Sequence, residues 1–156
     1  MNIHKTEWKN LLLLYATFWI FPIMAILIHL LFVKGNIYND IEISHKVQFF
    51  DLLINNLKVI IFISLSGFFN KNIPFVLYLY NVISFGVIFC ISLDKSGLYN
   101  TCIKTIPHGI FEVMALSFAT FVGINIRRKY RKKCLAFYMV LSIFLIIISA
   151  YIESSI

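Results

Sequence analysis

Long apolar runs, separated by short polar segments, dominate the chain. An α-helix needs about 20 apolar residues to cross the hydrocarbon core of a bilayer, because each residue adds about 1.5 Å. Five runs approach that length, at residues 11–33, 47–69, 73–93, 106–126 and 134–152. The pattern predicts an all-α fold, a polytopic transmembrane helical bundle of about five spans. All of residues 1–156 are expected to form a single integral membrane domain.

Two prolines mark the beginnings of predicted spans. Pro74 and Pro107 fall in the first turns of the third and fourth spans, where a missing N–H removes no hydrogen bond. Only residues 70–72 separate the second span from the third, so these two are expected to form a tight antiparallel hairpin. Residues 94–105 are predicted to be a loop, with its turn at Ser96-Gly97.

Composition favours a membrane protein over a soluble one. The chain is 60% hydrophobic and 13% charged, which is more apolar surface than a soluble domain of 156 residues could bury. Its formal net charge of +7 comes mainly from a basic patch after the fourth predicted span. This basic patch consists of Arg127, Arg128, Lys129, Arg131, Lys132 and Lys133. Such juxtamembrane patches set topology and contact anionic lipid, so we expect membrane lipid, and no nucleic acid, as a partner.

The distribution of Lys and Arg also predicts the orientation. Cytoplasmic loops carry the excess of basic residues, and the basic patch outweighs all the basic residues on the other side. We therefore expect a multi-pass protein of the bacterial cell membrane, with its N-terminus inside and its C-terminus outside.

Several polar side chains interrupt the predicted spans. Asp51, Asn55 and Lys58 are spaced i, i+4, i+7 and share one stripe of the second helix, while His108 and Glu112 share a stripe of the fourth. A charge in hydrocarbon is costly unless it is paired or hydrated. We hypothesise that Lys58 is neutralised by Asp51 or Glu112. The whole candidate intramembrane polar cluster is Asp51, Asn55, Asn56, Lys58, Asn81, His108 and Glu112.

Three roles for this cluster stay open at this point: structural packing, a proton or ligand relay, and docking of a partner. The stripe on the fourth span continues into small residues, which allow helices to approach closely in a bilayer. These candidate packing residues are Gly109, Ala115, Ala119 and Gly123. They could serve the internal bundle or a homodimer.

Sequence motifs of catalysis are missing. The chain has no HExxH, GxSxG, P-loop or Gly-rich dinucleotide turn, so we expect no enzyme and no cofactor. His108 and Glu112 supply only two potential ligands, which does not predict a metal site. The three cysteines have no CxxC spacing and are expected to be free thiols.

A family resemblance rests on several of these residues. Its specific parts are Pro107-His108-Gly109-x-x-Glu112 at the start of a late span and Asn55-Asn56 in an earlier one. Together with Phe49-Phe50-Asp51, Leu57, Gly67, Pro74, Asn81, Gly86, Ile110-Phe111 and Gly123, this pattern resembles the stage II sporulation protein M family.

The resemblance implies a polytopic, non-enzymatic membrane protein. The family's namesake anchors a peptidoglycan-remodelling complex during forespore engulfment. Other members lie in gene clusters for circular bacteriocins, beside ABC transporter parts, with export or self-immunity as their proposed role. The short chain favours an accessory subunit of a peptide exporter or immunity system. The alternatives are an anchor of a sporulation complex, a small transporter or flippase that uses Lys58 and Glu112, and an intramembrane enzyme.

Overall fold

The structure is a computed structural model that describes residues 3–32, 48–127 and 132–155, and the regular structure in these ranges is entirely helical. The prediction of an all-α fold is confirmed for this part of the chain. Its helices are α1 (Ile3–Phe32), α2 (Phe49–Ser66), α3 (Ile73–Asn125) and α4 (Lys132–Ser155). By length and composition, α2, α3 and α4 could each cross a membrane. The described part of α1 contributes a shorter apolar helix, Leu11–Ile20.

Helix α3 folds back on itself at Gly97. As one straight rod, its 53 residues would extend about 80 Å. Gly97 instead has φ 74° and ψ 165°, a conformation open essentially to glycine alone. Beyond it, a side chain added at Gly109 would lie 3.5 Å from the ring of Phe85, and one added at Gly123 would lie 2.7 Å from Pro74 Cγ. The first arm (73–96) and the second arm (98–125) of α3 are therefore antiparallel neighbours.

The prediction of a loop at residues 94–105 is wrong, because the helices continue through all of it except Gly97. Polar side chains satisfy the backbone on both sides of the turn. The Ser96 hydroxyl donates to the Ser92 carbonyl (3.0 Å), and the Asn100 amide donates to the Ser96 carbonyl (3.1 Å). Pro107 consequently lies inside the second arm and not in its first turn.

The connection between α2 and α3 is short, as predicted. Helix α2 ends at Ser66 and α3 begins at Ile73, with Pro74 in its first turn. Within the connection, the backbone N–H of Asn72 donates to Asn70 Oδ1 (3.0 Å). Cys90, Cys102 and Cys134 are free thiols, which confirms that prediction.

The second arm of α3 is the centre of the bundle. All nine residues from 115 to 123 are buried, so this helix is enclosed on every side. Helices α2 and α4 pack along it, and so does the first arm. Ser64 of α2 reaches Ala119, and an added side chain at Gly67 would collide with Gly123, so α2 runs parallel to the second arm.

Helices α1 and α4 both pack on α3, and their described residues do not contact each other. Helix α4 runs antiparallel to the second arm, because Ser142 bonds to Ala115 while Ser149 bonds to His108. Helix α1 packs on the first arm through the hydrogen bond from the Tyr78 hydroxyl to the Leu14 carbonyl. Among the described helices, α3 alone contacts α1.

Candidate functional site

The polar stripe of α2 faces away from the bundle. Asp51, Asn55 and Lys58 are all exposed, as their shared helical face requires. The opposite face of α2 is the one that packs against the second arm of α3 and against α4. Its buried residues include Ile60, Ile63 and Ser64. Helix α2 thus has a packed apolar side and an exposed polar side. We call the exposed polar side the α2 stripe (Asp51, Asn55 and Lys58).

The hypothesised ion pair of Lys58 is not formed. No ion pair joins Lys58 to Asp51 or Glu112, although the structure describes all three. The reason is geometric: Glu112 lies on the second arm of α3, which packs against the side of α2 opposite to Lys58. The Asp51 side chain is two helical turns from Lys58, about 10 Å along the axis. The predicted cluster is therefore divided between two surfaces.

The position of Lys58 makes the insertion of α2 into a membrane energetically costly. Helix α2 has 18 residues and Lys58 is near its middle, so both helix ends are more than 10 Å away along the axis. A lysine at the centre of a membrane-spanning helix costs about 2.5–3.5 kcal/mol on insertion scales. Asp51, in the first turn, is closer to water and benefits from the helix dipole.

The amides of the predicted cluster do not connect its two parts. Asn81 donates to the Leu77 carbonyl of its own helix (2.8 Å). Asn56 is partly buried beside the α2 stripe. Neither residue bridges from Lys58 to the second arm of α3.

His108 and Glu112 lie where the second arm meets α4. The Ser149 hydroxyl of α4 donates to the His108 backbone carbonyl (3.1 Å). The Nδ1 atom of His108 is buried and has no hydrogen-bond partner among the described residues. Glu112 is partly buried, and the Glu153 carboxylate of α4 is near enough to repel it. These groups form a second polar region, distinct from the α2 stripe.

This second region lacks the ligands of a metal centre. Within residues 3–32, 48–127 and 132–155, no three His, Cys, Asp or Glu side chains come close enough together to hold a metal ion. The antiparallel arrangement of the two helices explains why their carboxylates do not gather around His108. Glu112 is one turn beyond His108 on the second arm and Glu153 one turn beyond Ser149 on α4, in opposite directions.

The four small residues of the second arm are buried inside the bundle. Gly109 packs against the first arm, and Gly123 packs against both α2 and the start of α3. The carbonyls of Ala115 and Ala119 accept hydrogen bonds from Ser142 (2.8 Å) and from Ser64 (3.3 Å). Helices of the same chain occupy this face, so these four residues serve the packing of the internal bundle.

Sequence reasoning missed the hydroxyls that join the helices. Ser142 and Ser149 are fully buried and seven residues apart, so they share one face of α4. This seven-residue spacing, together with the small residues of the second arm, was the sequence signal that could have predicted these hydrogen bonds. Ser64 was missed for a different reason: nothing in the sequence indicates which side of α2 packs inward.

The basic patch lies at the end of the second arm. Arg127, Lys132 and Lys133 are exposed, and Arg127 Nη1 donates to the Phe69 carbonyl (3.3 Å), next to the α2–α3 connection. The other members, Arg128, Lys129 and Arg131, lie outside the described residues.

Comparison with known proteins identifies a family for this chain. The model of the family described as "Stage II sporulation protein M" matches residues 12–156, nearly the whole chain. Neither the curated proteins nor the solved structures include a significant match.

Proposed function

The chain belongs to the stage II sporulation protein M family, and from this premise we propose that it is a non-enzymatic scaffold or accessory subunit of a larger membrane complex. Its role in that complex is export of a bacteriocin-like peptide and self-immunity of the producing cell. The partners are other membrane proteins, such as the membrane subunit of an ABC transporter, together with lipid.

One observation carries the scaffold role: the charged groups of α2 point outward. Asp51 and Lys58 are on the exposed face, where a neighbouring protein could reach them. The transporter alternative needs Lys58 and Glu112 in one pathway, but Lys58 is exposed on α2 while Glu112 lies between the second arm and α4. The middle of the second arm is also closed by helix packing, and the buried hydroxyls there are used in bonds within the helix. Thr120, for example, donates to the Leu116 carbonyl (2.7 Å).

The geometry of the helices supports five membrane crossings. The two arms of α3 are roughly 36 and 42 Å long, each enough for a hydrocarbon core of about 30 Å. Helices α2 and α4 add two crossings and α1 one. Alternation then requires α2 to run parallel to the second arm and α4 antiparallel to it, which agrees with their hydrogen bonds. The basic patch supports an N-terminus on the inside and a C-terminus on the outside.

Short connections favour peptide immunity over anchoring of wall hydrolases. The helices are separated by residues 33–48, 67–72 and 126–131, segments too short to fold into a soluble domain. A subunit that docks large extracytoplasmic enzymes would need such a surface between its helices.

The experiment is deletion of the gene in its native cell, followed by two measurements. One is the amount of antimicrobial peptide secreted, and the other is the concentration of that purified peptide that stops growth. We expect less secretion and greater sensitivity, both restored by the wild-type chain. Arrested sporulation with unchanged peptide sensitivity would contradict the proposal and support the role of a sporulation anchor.

A further inference from the structure

The charge order on the α2 stripe limits what can cover it. Asp51 is near the N-terminal end of α2, Lys58 is near its middle, and Asn55 lies between them on the same exposed face. The rest of this face, towards the C-terminal end, is apolar and includes Ile61, Phe62 and Leu65. Its charges therefore extend no further than the middle of the helix, and from the N-terminal end they run from acid to base.

The α2 stripe of a second copy cannot neutralise this stripe. Two identical membrane proteins share one orientation in the bilayer, so a two-fold axis along the membrane normal aligns their α2 helices in parallel. Asp51 would then face Asp51 and Lys58 would face Lys58. The opposite charges would remain about 10 Å apart along the axis, too far for an ion pair.

We propose that the α2 stripe docks one membrane-spanning helix of a different protein, which carries a basic residue level with Asp51 and an acidic residue about 10 Å further along, level with Lys58. This inference rests on the proposed function and names the chemistry of the partner. Asn55, between the two charges, donates and accepts hydrogen bonds to the same helix. In the partner's sequence, the base and acid are seven residues apart, whichever way that helix runs.

Two synthetic helices of identical composition provide the test. Both are Leu/Ala peptides of membrane-spanning length; one has Arg near an end and Glu seven residues inward, and the other exchanges these two residues. The full chain, labelled with a donor fluorophore, is reconstituted with each acceptor-labelled peptide in phosphatidylcholine vesicles. Only peptides that insert with their charged end on the Asp51 side can match both charges. The two peptides insert in the same mixture of directions, so this fraction is equal in both samples and the comparison between them is kept.

We expect the complementary peptide to bind about tenfold more tightly than the exchanged one. The double variant Asp51→Lys, Lys58→Asp should invert this preference. Phe62→Leu, an apolar change on the same face, should leave it unchanged. If the double variant fails to fold, the single change Lys58→Met serves instead and should reduce the discrimination, because only the pair at Asp51 remains.

Equal binding of both peptides by the wild type would overturn the proposal, as would a preference that survives charge reversal. Energy transfer between two labelled copies of the chain that disappears in Lys58→Met would assign the stripe to a second copy and also overturn it. The outcome is separable from the proposed function. A deletion that alters peptide immunity, combined with equal peptide binding, would refute the docking chemistry alone, whereas discrimination without any immunity phenotype would refute the biological role alone.

Discussion

Gly67 and Gly123 are in backbone contact, at the point where α2 ends beside the end of the second arm of α3. A side chain added at Gly67 would collide with the Gly123 carbonyl. One added at Gly123 would lie 2.7 Å from both the Ile63 carbonyl oxygen and Pro74 Cγ. Three helical segments therefore meet here so closely that a residue with a side chain larger than that of glycine would collide. Such close approach is typical of helix packing in membranes.

The first prediction concerns this contact. Gly123→Ala should destabilise the bundle by about 1–3 kcal/mol, because the new methyl group meets backbone and a proline ring that cannot move aside. Gly67→Ala should act in the same direction. The measurement is the midpoint of thermal unfolding in detergent, with Val140→Ala, an exposed position of α4, as the control. Unchanged midpoints for both glycine variants would show that the segments are not in contact.

The second prediction concerns the turn between the arms of α3. Gly97→Ala should cost on the order of 1–3 kcal/mol, although no atom lies within 4 Å of the added group. The cause is backbone strain at φ 74°, so Gly97→Asn should be destabilising as well. The neighbouring exposed change Lys95→Ala is the control. If all three variants unfold with the wild type, the arms are joined in another conformation.

The third prediction concerns the hydroxyls that join α4 to the second arm. Ser142→Ala removes the hydrogen bond to the Ala115 carbonyl and should cost only about 0.6 kcal/mol, the average for such bonds inside membranes. Ser142→Leu should cost more, since this position is fully buried against a small residue. Unfolding midpoints distinguish the two, and Ser154→Ala, on the exposed end of α4, is the control. A leucine tolerated as well as alanine would contradict the packing.

The fourth prediction concerns the attachment of α1. Tyr78→Phe removes the hydrogen bond to the Leu14 carbonyl and should loosen α1 while leaving α2 and α4 in place. The measurement is amide hydrogen exchange, which should quicken in residues 11–20. Tyr80→Phe, an exposed tyrosine of the same arm, should have no effect. Faster exchange throughout the chain would show that Tyr78 supports the whole bundle and not α1 alone.

The sequence predicts where the helices form better than it predicts which side of each helix packs inward. Apolar runs and turn formers indicated the all-α fold and the short α2–α3 connection, because hydropathy and turn chemistry are local properties. The extension of both arms to Gly97 was missed, since polar helix ends that protrude from an apolar run look like a loop. Whether Lys58 faces inward or outward depends on which side of α2 meets the second arm. Ile60, Ile63 and Ser64 are the residues that pack inward on that side. Most other positions of α2 are apolar as well, so no periodicity in the sequence distinguished the packed side.

The same limitation explains the divided polar cluster. Helical spacing correctly grouped Asp51 with Lys58, and His108 with Glu112, as neighbours on one face. Spacing contains no information on whether two such faces meet. The His108 backbone carbonyl accepts a hydrogen bond from the Ser149 hydroxyl of α4, and the carboxylate that repels Glu112 is Glu153 of the same helix.

The central claim is that the two arms of α3 cross the bilayer separately, in opposite directions. Membrane-impermeant thiol labelling of α3 tests it most directly. The native cysteines are replaced by alanine, and a single cysteine is introduced by Ser96→Cys, at the turn, or by Lys71→Cys, before the first arm. In intact cells we predict that Ser96→Cys is labelled from outside and that Lys71→Cys is labelled only after the membrane is permeabilised. Labelling of both positions from the same side would contradict the account.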